Sequence, residues 1–95
     1  GAVKGACDNA KMGNLTTLLH KIRHAVKAVS EPTDTTMRNS KNIDFVNEVV
    51  IKNVHLTIED TRSLSPILTE MEDNGEIKII GAIYVIATGK VSFLD

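Results

Sequence analysis

Few side chains in this sequence are able to bind a metal or act as a nucleophile. They are one cysteine, Cys7, and three histidines, His20, His24 and His55. Thiolate and imidazole are the ligands that zinc and related ions prefer in proteins. Because a catalytic zinc needs three protein ligands that converge on one point, the spacing of these residues decides whether they form a site.

His20 and His24 stand four residues apart, so on a helix they share one face and are able to chelate a metal. No cysteine or carboxylate lies near them in the sequence, and both fall on the polar face of the predicted helix. We therefore expect two solvated histidines rather than a native metal site. We expect Cys7 to be a small residue that is buried or half-buried.

Two groups of acidic residues are candidates for acid–base chemistry. The first is Glu59-Asp60, which has no evident partner, and the second is Glu70, Glu72 and Asp73, close to the end of a predicted helix. General acid–base catalysis needs a positioned partner or substrate within hydrogen-bonding reach. Without one, the simpler interpretation is that both groups form solvated helix faces.

The apolar residues predict four helices that would carry these side chains. The clearest pattern follows Asn14, a good N-cap, where apolar residues recur at three- and four-residue steps: Leu15, Leu18, Leu19, Ile22, Val26 and Val29. Ser65-Pro66 predicts a helix start, and Asn74-Gly75 predicts its end. The predicted helices cover about residues 2–10, 15–29, 44–62 and 66–74, with a surface connection over 30–42.

The last part of the chain predicts a β-hairpin with strands over about 77–86 and 90–94 and a turn at Thr88-Gly89. The first strand is an almost unbroken run of apolar residues, a pattern typical of a strand that is covered on both faces. The hairpin offers this strand only one neighbour. Since an apolar strand with an unpaired edge is an aggregation hazard, we expect a partner strand from elsewhere.

The ordered segments of the chain resemble the C-terminal half of the β-class carbonic anhydrases. The last helix of that family commonly opens with SPIL, as residues 65–68 do, and its terminal hairpin is similar to GEIKIIGAIY (75–84) followed by TGKVSFL (88–94). At the other end, GAVKGA (1–6) resembles the residues directly after the family's H-x-x-C motif. GNL (13–15) with Leu18, Leu19, Lys21 and Ile22 resembles the helix that follows. The resemblance covers essentially all 95 residues.

The resemblance implies an α/β fold. This chain would form the C-terminal part of a β-carbonic anhydrase-like parallel sheet, here mainly helices plus a C-terminal β-hairpin. Strand 77–86 would be the fourth parallel strand, beside a third strand that ends just before H-x-x-C. That third strand is not in this sequence, in agreement with the unpaired edge. We expect residues 1–95 to be a single partial domain.

The resemblance also implies where the chemistry lies. Enzymes of this family hydrate CO₂ reversibly to bicarbonate at a zinc held by two cysteines and one histidine, next to the aspartate and arginine of a C-x-D-x-R motif. Neither H-x-x-C nor C-x-D-x-R occurs in this sequence. We therefore expect no catalytic and no metal-ligating residue here, and a histidine four positions and a cysteine one position before Gly1. Only Gly1 would approach the substrate, through its backbone, and Cys7 lies six residues beyond it.

Tyr84 has a second interpretation through the resemblance. In one subset of the family a tyrosine at this place in the hairpin joins a regulatory bicarbonate site, together with a tryptophan and an arginine. This sequence has no tryptophan. We therefore expect Tyr84 to be a packed strand residue.

The composition limits the kinds of molecule that we expect this chain to bind. The chain is 42% hydrophobic and 24% charged, with a net charge of −1, and it has no basic stripe for nucleic acid or a membrane surface. One cysteine fits a reducing compartment, so we expect a cytoplasmic protein.

Two functions remain. The first is a fragment of a zinc-dependent carbonic anhydrase that supplies scaffold and subunit contacts and is inactive alone, with zinc only in the intact enzyme. The second is a non-catalytic assembly domain that pairs with itself or with a separate N-terminal half.

Overall fold

The structure is a computed structural model that describes residues 2–9, 13 and 16–94. Within the described residues lie four α-helices, a short 3₁₀ helix that follows the second of them, and two strands. In chain order they are α1 (Ala2–Cys7), α2 (Thr16–Ala28), the 3₁₀ helix (Thr35–Met37), α3 (Ile43–Leu64), α4 (Pro66–Asp73), β1 (Gly81–Val85) and β2 (Lys90–Leu94). The chain forms two compact units, Gly1–Asn53 and Val54–Asp95.

The core of the first unit is built by α1, α2 and the first part of α3. Its buried residues are Ala6, Cys7, Leu19, Ile22, Ala25, Val29, Phe45, Val46 and Val49. Ala6, Leu19 and Ile22 pack together, and Val3 and Val26 lie against them. The amphipathic pattern of α2 is confirmed, with one change: Leu18 is 47% exposed, whereas Ala25 is fully buried. Leu15 and the predicted cap Asn14 lie outside the described residues.

The connection between α2 and α3 lies at the surface, as predicted, and is organised by local hydrogen bonds. Asp34 caps the 3₁₀ helix by accepting hydrogen bonds from the backbone N–H and the hydroxyl of Thr36. The Asn42 side chain donates to the Met37 carbonyl and accepts from the Phe45 N–H, so it also caps α3. Asparagine is a favoured N-cap residue because its side-chain oxygen satisfies one of the free amide groups of the first turn.

In the second unit, α4 begins and ends where the sequence predicts. Ser65 accepts a hydrogen bond from the Leu68 N–H, and Pro66 opens the helix. At the other end Gly75 has a φ of +75°, which glycine adopts without steric cost. The Glu76 N–H donates to the Met71 carbonyl. This pattern satisfies carbonyls that the helix end would otherwise leave free.

The predicted hairpin is confirmed, but its first strand is shorter than expected. β1 and β2 pair antiparallel in a register that joins Gly81 to Leu94 and Val85 to Lys90, and Gly89 closes the turn with a φ of +69°. Residues 77–80, predicted as strand, are not part of the ladder. The Ile79 N–H instead donates to the Glu72 carboxylate at 3.1 Å, so a side chain takes the place of a neighbouring strand.

The expected fold class is confirmed in its helices and its hairpin. The parallel sheet implied by the resemblance is not formed by the described residues, whose two strands pair antiparallel. Several large apolar side chains in the hairpin and next to it are exposed: Ile80, Tyr84, Val85, Ile86, Val91 and Phe93. That residues 1–95 are a single partial domain stays a prediction. Among the described helices, none combines the length and the hydropathy that crossing a membrane requires.

Candidate functional site

Cys7 is buried at the end of α1, as predicted. Burial raises the pKa of its thiol, and the neighbouring Asp8 carboxylate raises it further, while the Arg38 guanidinium acts in the opposite direction. Both a metal ligand and a nucleophile have to be the thiolate. The surroundings of Cys7 therefore favour the form of the side chain that does neither.

Asp8 joins α1 to the connection between α2 and α3. Its two carboxylate oxygens accept hydrogen bonds from the Ser40 N–H at 2.8 Å and from the Ser40 hydroxyl at 2.6 Å. These hydrogen bonds favour the ionised carboxylate and lower the pKa of Asp8. Because 32 residues separate the two partners, this contact was not visible in the sequence pattern.

Arg38 is the second residue that sequence analysis did not identify. Its guanidinium donates hydrogen bonds to the Val26 carbonyl at 2.8 Å and to the Pro32 carbonyl at 3.0 Å. It also lies over the Phe45 ring, 4.8 Å from the ring centroid, within the range of a cation–π contact. The only signal in the sequence was a single arginine in an otherwise small and polar segment. Arg38 thus holds the end of α2, the connection and the start of α3 together.

The three histidines are exposed. On α2 the rings of His20 and His24 are 5.6 Å apart between centroids, with an angle of 73° between their planes. His55 lies on α3. Among the described residues, no three histidine, cysteine or carboxylate side chains come together as a catalytic metal site would require.

The acidic residues of the second unit divide into two kinds. Glu59, Asp60, Glu70 and Asp73 are exposed, which agrees with solvated helix faces. For Glu72 that prediction was wrong, because its carboxylate accepts two hydrogen bonds from the Arg62 guanidinium, at 2.8 and 2.9 Å, and a third from the Ile79 N–H. The hydrogen bonds from Arg62 are the main reason why the pKa of Glu72 is lowered. Glu72 thus connects α3 and α4 to the segment that leads into β1.

We expect the substitution Glu72→Gln to destabilise the second unit at neutral pH. It removes the negative charge that Arg62 binds, and it replaces one of the two accepting oxygens with an NH₂ group, which cannot accept a hydrogen bond from Arg62 or Ile79. The folded-state pKa of Glu72 is below its unfolded value of about 4.3. The contribution of the carboxylate to the free energy of unfolding is therefore complete above the unfolded-state pKa. It is lost as the pH falls through the folded-state pKa. Thermal unfolding at several pH values should show a lower midpoint for the variant at pH 7 and a difference that shrinks in acid.

The matched control for this experiment is Glu70→Gln, which removes an exposed carboxylate from the same helix. It should leave the unfolding midpoint close to that of the unsubstituted chain. Equal midpoints for both variants at pH 7 would contradict a structural role for Glu72.

Comparison with known proteins adds one finding. A family model described as carbonic anhydrase matches residues 1–91. The chain belongs to the β-carbonic anhydrase family. No curated protein and no solved structure gives a significant match. Enzymes of the β-carbonic anhydrase family are zinc-dependent carbonate dehydratases.

The described side chains do not fit the zinc site of a β-carbonic anhydrase. That site takes two thiolates and one imidazole, whereas this sequence has a single cysteine, and burial raises the pKa of its thiol. His20 and His24 supply two imidazoles on a helix whose charged residues are all basic. Gly1, the one position that the resemblance brings near the substrate, lies outside the described residues. Its role stays a prediction.

Tyr84 is also placed differently from what we expected of a carbonic anhydrase hairpin residue. It pairs with Val91 across the hairpin, but its side chain is 62% exposed. The prediction of a packed strand tyrosine was therefore wrong for the chain by itself. The reason is that, within the described part of the chain, the sheet has only two strands and no second layer covers the face that carries Tyr84.

Proposed function

We propose that this chain supplies scaffold and subunit contacts to a cytoplasmic, zinc-dependent carbonic anhydrase, which hydrates CO₂ reversibly to bicarbonate, and that it is inactive alone. One observation carries the proposal. The chain matches the carbonic anhydrase family over residues 1–91, yet its sequence contains neither the H-x-x-C nor the C-x-D-x-R motif. The residues that hold zinc and act on CO₂ in this family therefore have to come from another segment.

The exposed apolar residues of the hairpin support the part of the proposal that concerns contacts. Tyr84 and Phe93 are each more than 60% exposed, and Ile86 is 87% exposed. Large apolar side chains that are exposed together in one hairpin are typical of an interaction surface. We propose that it is covered in the intact enzyme, either by the segment that carries the zinc motifs or by a second copy.

The same surface favours the second candidate, a non-catalytic assembly domain with the β-carbonic anhydrase fold. This candidate also needs a partner on the hairpin, but it needs no zinc chemistry in the assembled protein. The two functions therefore differ in what the complex does rather than in whether a complex forms.

The experiment that tests the proposal measures bound zinc and CO₂ hydration on the 95-residue chain, alone and co-expressed with a β-carbonic anhydrase segment that carries both zinc motifs. We expect no zinc that remains bound after dialysis and only the buffer rate for the chain alone. The co-expressed pair should purify together with zinc and a hydration rate well above that of the zinc segment alone.

Two results would count against the proposal. Stoichiometric zinc and activity in the isolated chain would show that the metal site is within these 95 residues. A stable complex that binds no zinc and has no activity would favour the assembly domain. The control is the same pair with the cysteine of H-x-x-C replaced by serine, which should still associate but should lose zinc and activity.

A further inference from the structure

His20 and His24 form a pair that the zinc chemistry of the family does not use. They lie on α2 (Thr16–Ala28) at the spacing that places two residues above one another on a helix surface. Both side chains are exposed, and their rings are 5.6 Å apart between centroids. The sequence showed only the spacing, whereas the structure shows that both rings are accessible and already adjacent.

The distance between the rings is close to what a shared metal ion requires. Imidazole nitrogens bind zinc at about 2.0–2.1 Å, so two rings on one tetrahedral ion have centroids roughly 5 Å apart. The observed separation of 5.6 Å exceeds this by a few tenths of an ångström. Rotation of exposed side chains about their χ angles covers a difference of that size on the picosecond-to-nanosecond timescale.

We propose that His20 and His24 chelate one divalent transition-metal ion of the imidazole-binding class, such as Ni²⁺, Cu²⁺ or Zn²⁺, on the outer face of α2. Water completes the coordination shell, because among the described residues no third histidine, cysteine or carboxylate side chain joins the pair. The charged residues of this helix are all basic: Lys21, Arg23 and Lys27. Their positive charges oppose cation binding. The site is therefore a two-ligand surface chelate and is distinct from the catalytic zinc site of the family.

Chelation also has a consequence for α2. An ion that bridges residues four apart binds the helical conformation better than the unfolded chain, so it stabilises the folded state. The same geometry gives the second imidazole a high effective concentration once the first has bound. The pair should consequently bind at least about tenfold more tightly than either histidine alone.

The experiment is a calorimetric titration of the 95-residue chain with NiCl₂ up to about 1 mM, which detects dissociation constants as weak as about 1 mM. NMR with ZnCl₂ identifies which imidazole signals shift. We expect one Ni²⁺ at the pair and zinc-induced shifts of the His20 and His24 rings. His20→Ala and His24→Ala should each lower the affinity at least about tenfold, whereas His55→Ala should leave it unchanged.

The sharpest control exchanges two residues of the same helix, His24→Lys with Lys27→His. This variant keeps the histidine count and the charge, but the two histidines of its α2 helix are separated by about 10.5 Å along the helix axis, too far for one ion. Circular dichroism checks that α2 remains helical in each variant. Affinity equal to that of the unsubstituted chain in the exchanged variant, or no binding by the unsubstituted chain at 1 mM, would overturn the proposal.

Discussion

Replacement of Gly81 by alanine should destabilise the Val54–Asp95 unit by about 1–3 kcal/mol. Gly81 is buried at the start of β1, where it faces α3. A Cβ atom built on it would overlap Cγ1 of Val54 and would approach Cδ1 of Ile58 to 3.2 Å. Val54, the nearer neighbour, is β-branched, so its χ1 angle is restricted and its methyl group has little freedom to move away. The strand or the helix therefore has to shift.

Tyr84 provides a local probe for this prediction, because it is the only tyrosine in a chain without tryptophan and it lies on β1. A fluorotyrosine label gives a single ¹⁹F resonance, whose change during urea unfolding reports on this unit. We expect a lower unfolding midpoint for Gly81→Ala. The matched control is Ala82→Val, which adds volume to the next residue of the same strand, where the side chain is exposed.

A double substitution tests the cause of the effect. Val54→Ala removes the methyl groups that the new Cβ would meet, so it should cost less in the Gly81→Ala background than in the unsubstituted chain. A coupling energy near zero in this double-mutant cycle would mean that the clash with Val54 is not the origin of the instability. A midpoint unchanged by Gly81→Ala would contradict the close packing of β1 on α3.

Replacement of Phe45 by alanine should destabilise the first unit by about 3–5 kcal/mol, the usual cost of removing a fully buried phenylalanine. The Phe45 side chain is 1% exposed, so its loss leaves a cavity in the core. The Arg38 guanidinium, which lies 4.8 Å from the ring centroid, would also lose its aromatic contact. For a chain of this size a loss of about 3 kcal/mol lowers the unfolding temperature by roughly 12–24 °C.

Cys7 reports on this unit, since it is the only cysteine and is buried in the folded state. The rate at which a thiol reagent modifies Cys7 should rise strongly in Phe45→Ala. Ile43→Ala is the control, because it truncates a residue of the same helix that is 55% exposed, and it should leave the rate almost unchanged. Equal modification rates for Phe45→Ala and the unsubstituted chain would show that Phe45 does not hold this core together.

Phe45→Leu separates the two contributions of the ring. Leucine keeps most of the apolar contact but has no aromatic face for Arg38. We expect its modification rate to fall between those of the unsubstituted chain and Phe45→Ala. The remaining difference from the unsubstituted chain measures the loss of ring volume together with the cation–π contact, which is worth about 0.5–2 kcal/mol.

The sequence by itself determined the features that depend on neighbouring residues. The amphipathic pattern of α2, the Ser65 cap, the end of α4 at Gly75 and the turn at Gly89 were all predicted from short-range rules. The family resemblance belongs here too, because it rests on the order of the segments along the chain. These predictions succeeded because capping, helix periodicity and turn conformation are set within a few residues.

Tertiary structure decided the features that depend on residues distant in the sequence. Asp8 binds Ser40 across 32 positions, and Arg38 reaches back 12 positions to the Val26 carbonyl. Neither partner could be chosen from the sequence, because many polar side chains are equally available until the chain folds. The close approach of Val54 to Gly81 has the same origin.

The hairpin shows both contributions in one segment. Its turn and antiparallel pairing follow from local sequence. β1 starts at Gly81 rather than at residue 77 because Gly81 pairs with Leu94, the last residue of β2, and the Ile79 N–H donates to Glu72 instead. The exposed position of Tyr84 is likewise a tertiary result, because the apolar pattern predicts burial without specifying which surface provides it. The sequence thus determined that this strand is apolar, and only the packing of the chain decided which of its residues are covered.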